Sequence, residues 1–306
     1  MKNIRHFMEY AALRAISASL LVLPLEATYL TARFLGWFGF DVLRMRRGIT
    51  MDNLARALGD TYSRSELVKI AREAYKQITI TFIEVLIFPR LRTRMKEVVE
   101  VDDFQMVRDA YAEGKGVILV TCHYGSWEIA AATVPSQGIP TTAIGKTQAN
   151  RYTDRLLNSR RELMGIRITA RGAGVKQVVR TLRNGDSIFL VSDQDAGRQG
   201  VMVPFFGRPA STPTGAAQLA FKYGSPVLVT ACERVSDGRY RFICRKLPVL
   251  EHDTVESLAA RMNTIIEEII RRHPEQYLWM HKRWRTEAVS GVGDEVGKFV
   301  HIPAGG

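Results

Sequence analysis

The segment from Val117 to Glu128, VILVTCHYGSWE, constrains the fold of this chain more than any other. A run of apolar residues leads to His123, and a glycine follows two residues later. This pattern predicts a buried parallel strand that ends in a turn, with a helix beginning near Ser126. Because open α/β sheets place reactive groups at the carboxyl ends of strands, His123 is a candidate functional residue. Glu128 falls in the first helical turn, where the helix dipole favours a carboxylate.

Apolar runs of strand length alternate with helical patterns along the rest of the chain. The predicted strands are Val117–Cys122, Thr141–Ile144, Ile166–Thr169, Ser187–Ser192, Pro226–Cys232 and Tyr240–Arg245, and the helices between them are Ser126–Val134, Arg151–Leu163, Gly174–Arg183 and Thr214–Tyr223. This alternation predicts an α/β fold with a mostly parallel central sheet flanked by helices. Asp237-Gly238 predicts a hairpin between the last two strands, and hence an antiparallel sheet edge.

Further helices are predicted on both sides of this region. Ser63 and Glu66 form a capping-box pattern that opens a helix to about Phe88, where Pro89 is expected to end it. An amphipathic helix, Val255–Arg272, closes the fold. We divide the chain into an N-terminal helical segment, residues 1–48, and an α/β domain, residues 49–306.

The N-terminal segment has the composition of a membrane-surface element. Its apolar stretch, Ala15–Phe40, is interrupted by Glu26 and Arg33, so it is marginal for a clean span of about 20 apolar residues. Trp37 and Phe38 precede a basic cluster, as in segments that lie among headgroups of a cytoplasmic leaflet. The cluster consists of Arg44, Arg46 and Arg47. We predict membrane association; the alternative is a buried hairpin of two core helices.

Charge and cysteine content narrow the class of protein. The chain has 43 Lys and Arg against 31 Asp and Glu, a net charge of +12. This balance indicates a polyanionic neighbour: nucleic acid, an anionic bilayer or a phosphorylated substrate. Three widely spaced cysteines, Cys122, Cys232 and Cys244, without zinc-ligand spacing, predict reduced thiols in a cytosolic compartment. The chain also lacks the Walker, dinucleotide-binding and serine-hydrolase motifs, which weakens those three functions.

A second motif, Ser187–Gly207, follows an apolar strand with Asp193 and Asp195. Metal-dependent glycosyltransferases use such a D-x-D to hold a divalent ion and a nucleotide diphosphate, so this function is an alternative. Otherwise the two acids cap backbone amides of a turn. Phe205 and Phe206 suit an apolar wall beside a helix start that can bind phosphate.

A third motif closes the chain with aromatic residues among basic ones, Pro274–Arg285, PEQYLWMHKRWR. Such a segment could contact membrane headgroups or nucleic acid. It could instead pack Trp279 into the core and leave a solvated basic end.

Together, HYGSWE, SDQDAGRQGVMVPFFGRPASTPTGAAQLA and PEQYLWMHKRWR resemble the blocks of the lipid A biosynthesis lauroyl/myristoyl (late) acyltransferase family. This family is part of the lysophospholipid acyltransferase-like superfamily. The resemblance covers nearly the whole chain in order, and the long second block is the most specific part. Mannosyl-phosphatidylinositol acyltransferases are similar more distantly.

The resemblance implies a glycerolipid-acyltransferase-like fold on the cytoplasmic face of the bacterial inner membrane. It implies transfer of an acyl chain from a thioester, usually on acyl carrier protein, to a hydroxyl of a phosphorylated lipid A precursor or related glycolipid, without metal or other cofactor and without nucleic acid. His123 would be the general base and Glu128 its partner. The residues expected to bind substrate are Arg160 or Arg161 ahead of Gly165, Asp193, Asp195, Arg198, Phe205 and Phe206. A non-catalytic membrane-surface binder, in which His123 is dispensable, is a further alternative.

Overall fold

The central sheet confirms the predicted α/β class. The computed structural model describes residues 2–145, 147–170 and 174–286, so the end of the predicted α/β domain lies outside the described residues. Within these ranges the strands are β1 (Val99–Glu100), β2 (Val117–Gly125), β3 (Thr141–Gly145), β4 (Ile166–Ala170), β5 (Ser187–Val191), β6 (Val201–Phe205), β7 (Arg208–Thr212), β8 (Val227–Ser236) and β9 (Arg239–Leu247). Seven of the described strands form one sheet in the order β1-β9-β8-β2-β5-β3-β4. Its neighbours pair in parallel except β8 and β9, which are antiparallel.

The sheet differs from the prediction at two places. The predicted hairpin of β8 and β9 is confirmed, but β1 pairs outside β9, so the antiparallel strand is not the edge. The segment interpreted as a turn after β5 contains a separate two-stranded antiparallel sheet, β6 and β7. Pro204 faces Pro209 in this pairing. Proline lacks an N–H and is rare within strands, so the sequence of β6 and β7 does not have the composition that predicts a strand.

Helices cover both faces of the sheet. They are α1 (Lys2–Val22), α2 (Leu25–Trp37), α3 (Arg47–Leu58), α4 (Arg64–Leu86), α5 (Phe88–Leu91), α6 (Met95–Val98), α7 (Gln105–Ala112), α8 (Trp127–Ser136), α9 (Arg151–Leu163), α10 (Val175–Arg183), α11 (Gly215–Tyr223) and α12 (Val255–Arg272). The capping box at Ser63 is confirmed, because Ser63 and Glu66 exchange hydrogen bonds there. Pro89 does not end α4, which stops at Leu86; it lies in the first turn of α5.

The core consists of two apolar clusters, one on each face of the sheet. Successive side chains of a strand point to opposite faces. Ile118, Val120 and Cys122 of β2 therefore pack in one cluster, whereas Val117 and Leu119 pack in the other. The three cysteines are all buried and unpaired.

The N-terminal helices pack on the α/β domain and also expose apolar side chains. The backbones of α2 and α4 cross closely: a Cβ on Gly36 would lie 2.5 Å from Cα of Lys76. The hydroxyls of Tyr29 and Tyr240 lie 3.0 Å apart. Large apolar side chains on the outer surface of α1 and α2 are Ile4, Phe7, Met8, Ile16, Val22, Leu30, Phe34, Leu35 and Trp37. Among the described residues, no helix is both long and apolar enough to cross a membrane.

A buried ion pair joins α4 to the sheet beside the end of β2. Glu84 is fully buried and accepts hydrogen bonds from Nε and Nη2 of Arg234, at 3.2 and 2.9 Å. Tyr240 and Ser126 also donate to this carboxylate, at 2.5 and 2.7 Å. Burial opposes the charge of Arg234, but the nearby charge of Glu84 raises its pKa. Arg234 therefore stays charged. The pair and its hydrogen-bond donors join α4, β8, β9 and Ser126, the residue that precedes α8.

We expect Glu84→Gln to lower the free energy of unfolding by about 3–5 kcal/mol, because it leaves the charge of Arg234 buried without a counter-charge. Urea unfolding followed by circular dichroism measures this difference. Asp52→Asn is the control, since it breaks an exposed ion pair with Arg56 in α3. It should change stability by less than about 1 kcal/mol. Equal unfolding midpoints for the two variants would contradict the prediction.

Candidate active site

His123 and Asp193 meet at the carboxyl ends of two neighbouring parallel strands. The register pairs Thr121 of β2 with Val191 of β5, so the residues two positions further along lie side by side. Nδ1 of His123 is 2.8 Å from Oδ1 of Asp193, and the backbone N–H of His123 donates to Oδ2 at 2.9 Å. The Asp193 carboxylate thus fixes both the backbone and the ring of His123.

Asp193 is ionised although it is only 2% exposed. Burial alone would raise its pKa, but the electrostatic interaction with the His123 ring and hydrogen bonds from His123 and Tyr277 together lower it. A carboxylate at Nδ1 favours the tautomer with the proton on Nδ1 and a lone pair on Nε2. The side-chain amide nitrogen of Gln194 lies 3.4 Å from Nε2. Nε2 is thus the ring nitrogen available for proton transfer.

Glu128 does lie in the first turn of α8, but it pairs with Arg161 rather than with His123. Nε and Nη2 of Arg161 donate to its two oxygens at 2.9 and 2.7 Å. The expected pair of His123 and Glu128 is therefore replaced by two pairs, His123 with Asp193 and Glu128 with Arg161. The planar guanidinium of Arg161 matches both carboxylate oxygens of Glu128 and so occupies them. The end of β5 places a second carboxylate, that of Asp193, directly beside the imidazole.

The two arginines before Gly165 point to different partners. Arg161 joins α9 to the start of α8 through Glu128. Nη2 of Arg160 donates to Oγ of Ser17 on α1, at 3.2 Å. Burial lowers the pKa of Arg160, and the charge of Arg14 adds to this effect. Of the two candidates, Arg161 is the one joined to the helix that follows His123.

The second acid of the D-x-D, Asp195, has different partners from the first. The backbone N–H of Asp195 donates to Nε2 of His281 at 3.1 Å, and Oδ2 accepts from Thr286 at 3.1 Å. Within the described residues, its Oδ1 is buried without a hydrogen-bond partner. The residues described contain no group of three or more His, Cys, Asp or Glu that could hold a metal ion.

The two phenylalanines after β5 do not form an open wall. The Phe205 ring is fully buried, with the guanidinium of Arg283 4.8 Å from its centroid. The Phe206 ring also belongs to the core and packs against Trp279 at 6.0 Å. Both rings are packed in the core, whereas the expected role was contact with the substrate. Arg198 is exposed, in the short turn between β5 and β6.

The C-terminal motif folds into the site, which the sequence did not establish. Tyr277 pairs with Tyr124 at the end of β2, and the N–H of Leu278 donates to the carbonyl of His123 at 2.9 Å. Trp279 is buried, as in the packing alternative considered for this motif. Arg283 is buried too and donates to the carbonyl of Ser211 at 2.6 Å. In the sequence, the motif as a whole was the only sign that these residues have a role, and it did not predict their contacts.

A glycine turn fixes the start of α8 behind His123. Gly125 has φ +54°, and a Cβ there would lie 2.0 Å from the carbonyl oxygen of Cys232. Ser126 follows as N-cap: its Oγ accepts from the N–H of Ile129 and donates to Glu84. The first amides of a helix have no acceptor within the helix itself.

Comparison with known proteins identifies relatives of this chain. The model of the bacterial lipid A biosynthesis acyltransferase family matches residues 2–286. A lipid A biosynthesis acyltransferase of Haemophilus influenzae is 30% identical over 59% of this chain and 57% of its own length. A lipid A biosynthesis lauroyltransferase of Escherichia coli is 30% identical over 61% of this chain and 62% of its own. A lipid A biosynthesis palmitoleoyltransferase of Escherichia coli is 26% identical over 81% of each chain.

The aligned region thus spans about three fifths of the length of the first two relatives and four fifths of the third. The family model, in contrast, includes every strand described above and all three sequence motifs. The chain belongs to the bacterial lipid A biosynthesis acyltransferase family.

Proposed function

We propose that this protein is a membrane-associated O-acyltransferase. It moves a fatty acyl chain from an acyl thioester, carried by acyl carrier protein, to a hydroxyl of a lipid A precursor or a related phosphorylated glycolipid. The observation that carries the proposal is the contact of His123 with Asp193 at the end of β2, which leaves Nε2 of the imidazole as a base. Family membership supplies the reaction class.

The proposed reaction is a direct transfer in which His123 is the general base. Nε2 takes the proton of the acceptor hydroxyl as its oxygen attacks the thioester carbonyl carbon. The tetrahedral intermediate then expels the thiolate, which takes the proton back from the imidazolium. Asp193 stabilises the imidazolium while it exists. The three cysteines are buried, which favours a transfer without a cysteine acyl-enzyme.

The start of α8 is the proposed site of oxyanion stabilisation. Its first backbone amides, at Trp127 and Glu128, have no acceptor within the helix and carry the positive end of the helix dipole. In this proposal Glu128 is a positioning residue: its two hydrogen bonds to Arg161 hold α8 against α9. Glu128 and Arg161 then act on the reaction by positioning the start of α8, and not by contact with the imidazole.

Charged and polar groups around the site suit a phosphorylated sugar lipid. Arg198 is exposed in the turn between β5 and β6 and can pair with a phosphate. The net charge of +12 favours association with an acidic carrier protein and an anionic leaflet.

The proposed location is the cytoplasmic face of the bacterial inner membrane, with the N-terminal helical segment as the anchor. Its exposed apolar residues lie on α1 and α2, and the basic cluster that follows is exposed for the most part. Apolar surface beside basic residues is the pattern of a segment that lies in the headgroup region of a bilayer.

We expect His123→Ala to lower kcat about a hundred- to ten-thousandfold, because the acceptor hydroxyl loses its base. Transfer of labelled acyl groups to extracted glycolipid measures the loss. His252→Ala is the matched control, since this histidine is exposed on the loop before α12. If the His123 variant keeps more than a tenth of wild-type turnover and an unchanged circular dichroism spectrum, His123 is not the general base.

We expect full activity in EDTA, because Asp193 binds His123 and Asp195 faces other partners. Asp193→Asn should damage kcat more than Asp195→Asn, since an amide cannot stabilise the imidazolium. Initial rates of both variants, with and without chelator, give the comparison. Activity that EDTA abolishes and magnesium or manganese restores would instead favour the metal-dependent glycosyltransferase.

We expect the full-length chain to stay with the inner membrane in a high-salt wash. Salt screens the contacts of the basic cluster, but it does not release buried apolar surface. Fractionation followed by immunoblotting measures this, with detergent extraction as the positive control. Complete release by salt alone would contradict the proposed apolar contact of α1 and α2.

A further inference from the structure

His281 of the C-terminal motif binds the turn that carries the two acids of the D-x-D. The backbone N–H of Asp195 donates to Nε2 of His281 at 3.1 Å. Because Nε2 accepts this bond, the neutral ring carries its proton on Nδ1. Two residues earlier in the same turn, the Asp193 carboxylate binds both the ring and the backbone N–H of His123. His281 therefore holds the turn whose first acid orients the candidate base.

Asn53 of α3 fixes the main chain at His281. Its side chain is 4% exposed, and its Nδ2 donates to the carbonyl oxygens of Trp279 at 2.8 Å and of His281 at 2.5 Å. The backbone N–H of Arg283 also donates to the carbonyl of His281, at 2.9 Å. Because these bonds fix the main chain, the imidazole has a defined place from which it can hold the Asp195 amide.

The sheets hold the start of the turn more firmly than its end. The N–H of Ser192, just before the acids, donates to the carbonyl of Thr121 in β2 at 2.9 Å. The N–H of Ala196, just after them, reaches the carbonyl of Ser211 in β7 only at 3.4 Å. The 3.1 Å bond from Asp195 to His281 is shorter than this second contact. It is also a bond that depends on the protonation state of its acceptor.

We propose that neutral His281 is a positioning residue of the reaction. It holds the turn from Asp193 to Asp195 so that the Asp193 carboxylate stays against Nδ1 of His123. This inference rests on the proposed acyltransferase function and adds a residue to it. His281 acts through Asp193 and takes no proton from the substrate.

Protonation of His281 breaks this arrangement, because an imidazolium has no lone pair on Nε2 for the Asp195 N–H. The charged and titratable groups around the ring are Asp193, Asp195 and His123 from the strand ends, Arg283 from its own segment, and Arg46, which donates to the carbonyl of Met280. Burial lowers the pKa of His281, and this effect outweighs the two carboxylates, which raise it. The hydrogen bond is therefore present at neutral pH and is lost as the pH falls through the lowered pKa of His281.

His281→Gln and His281→Asn form a matched pair of variants. The amide of Gln reaches the position of Nε2, and its oxygen accepts the Asp195 N–H without titrating, whereas the shorter Asn ends near the position of Nδ1. The assay follows transfer from a labelled acyl thioester to glycolipid by the full chain in detergent micelles. We expect His281→Asn to lower kcat about ten- to hundredfold, because misplacing a catalytic group by about 1 Å has an effect of that size. His281→Gln should recover most of the loss, and a Gln at the exposed His252 should match wild type.

Two further measurements separate positioning from packing. Toward acid pH, kcat/KM should fall more steeply for wild type than for His281→Gln, because protonation of either His123 or His281 stops the wild-type reaction. The double variant His281→Asn, Asp193→Asn should be no slower than Asp193→Asn alone, since both changes disturb the same contact with His123. Thermal unfolding of each variant gives its Tm.

Equal slopes of the acid limb for wild type and His281→Gln would overturn the inference. So would losses that multiply in the double variant, because His281 would then act independently of Asp193. A loss in His281→Asn that follows a lower Tm, without recovery in His281→Gln, would make His281 a structural residue only. If wild type itself transfers no acyl group, the proposed function fails instead.

Discussion

The ion pair of Glu84 and Arg234 is the interaction on which the position of the site depends. An isolated charge in the core would be strongly destabilising, so each member requires the other and several hydrogen bonds besides. Those bonds come from α4, from β8 and β9, and from Ser126 at the N-cap of α8. The end of β2 and the start of α8 lie between these anchors. The imidazole of His123 is therefore held by a polar network that lies outside the reaction itself.

The sequence predicts the elements of the site better than their pairing. The apolar run of β2 and the acids after β5 are visible because strands buried on both faces have a simple composition. The contact of His123 with Asp193 follows once β2 and β5 are taken as parallel neighbours in register. Spacing along the chain instead suggested Glu128, since it cannot show that Arg161 from α9 occupies both carboxylate oxygens.

Long-range packing explains what the sequence left open. Arg283 looks like part of a solvated basic end, but it lies in the core against Phe205. Tyr277 donates to Asp193 from a segment that comes much later in the chain. Neither contact has a local pattern, because side chains from distant elements meet only after the sheet has formed. The prolines of β6 and β7 conceal that hairpin for a different reason, the loss of the usual strand composition.

The burial of the three cysteines makes this protein convenient for site-specific labelling. Thiolates, not thiols, react with maleimides, and burial raises the pKa of Cys122, Cys232 and Cys244. A single cysteine introduced on the outer surface of α2 would therefore react far faster than the native thiols. Fluorophores or spin labels could then report how deeply each turn of that helix enters a bilayer, in a chain whose own cysteines need not be removed.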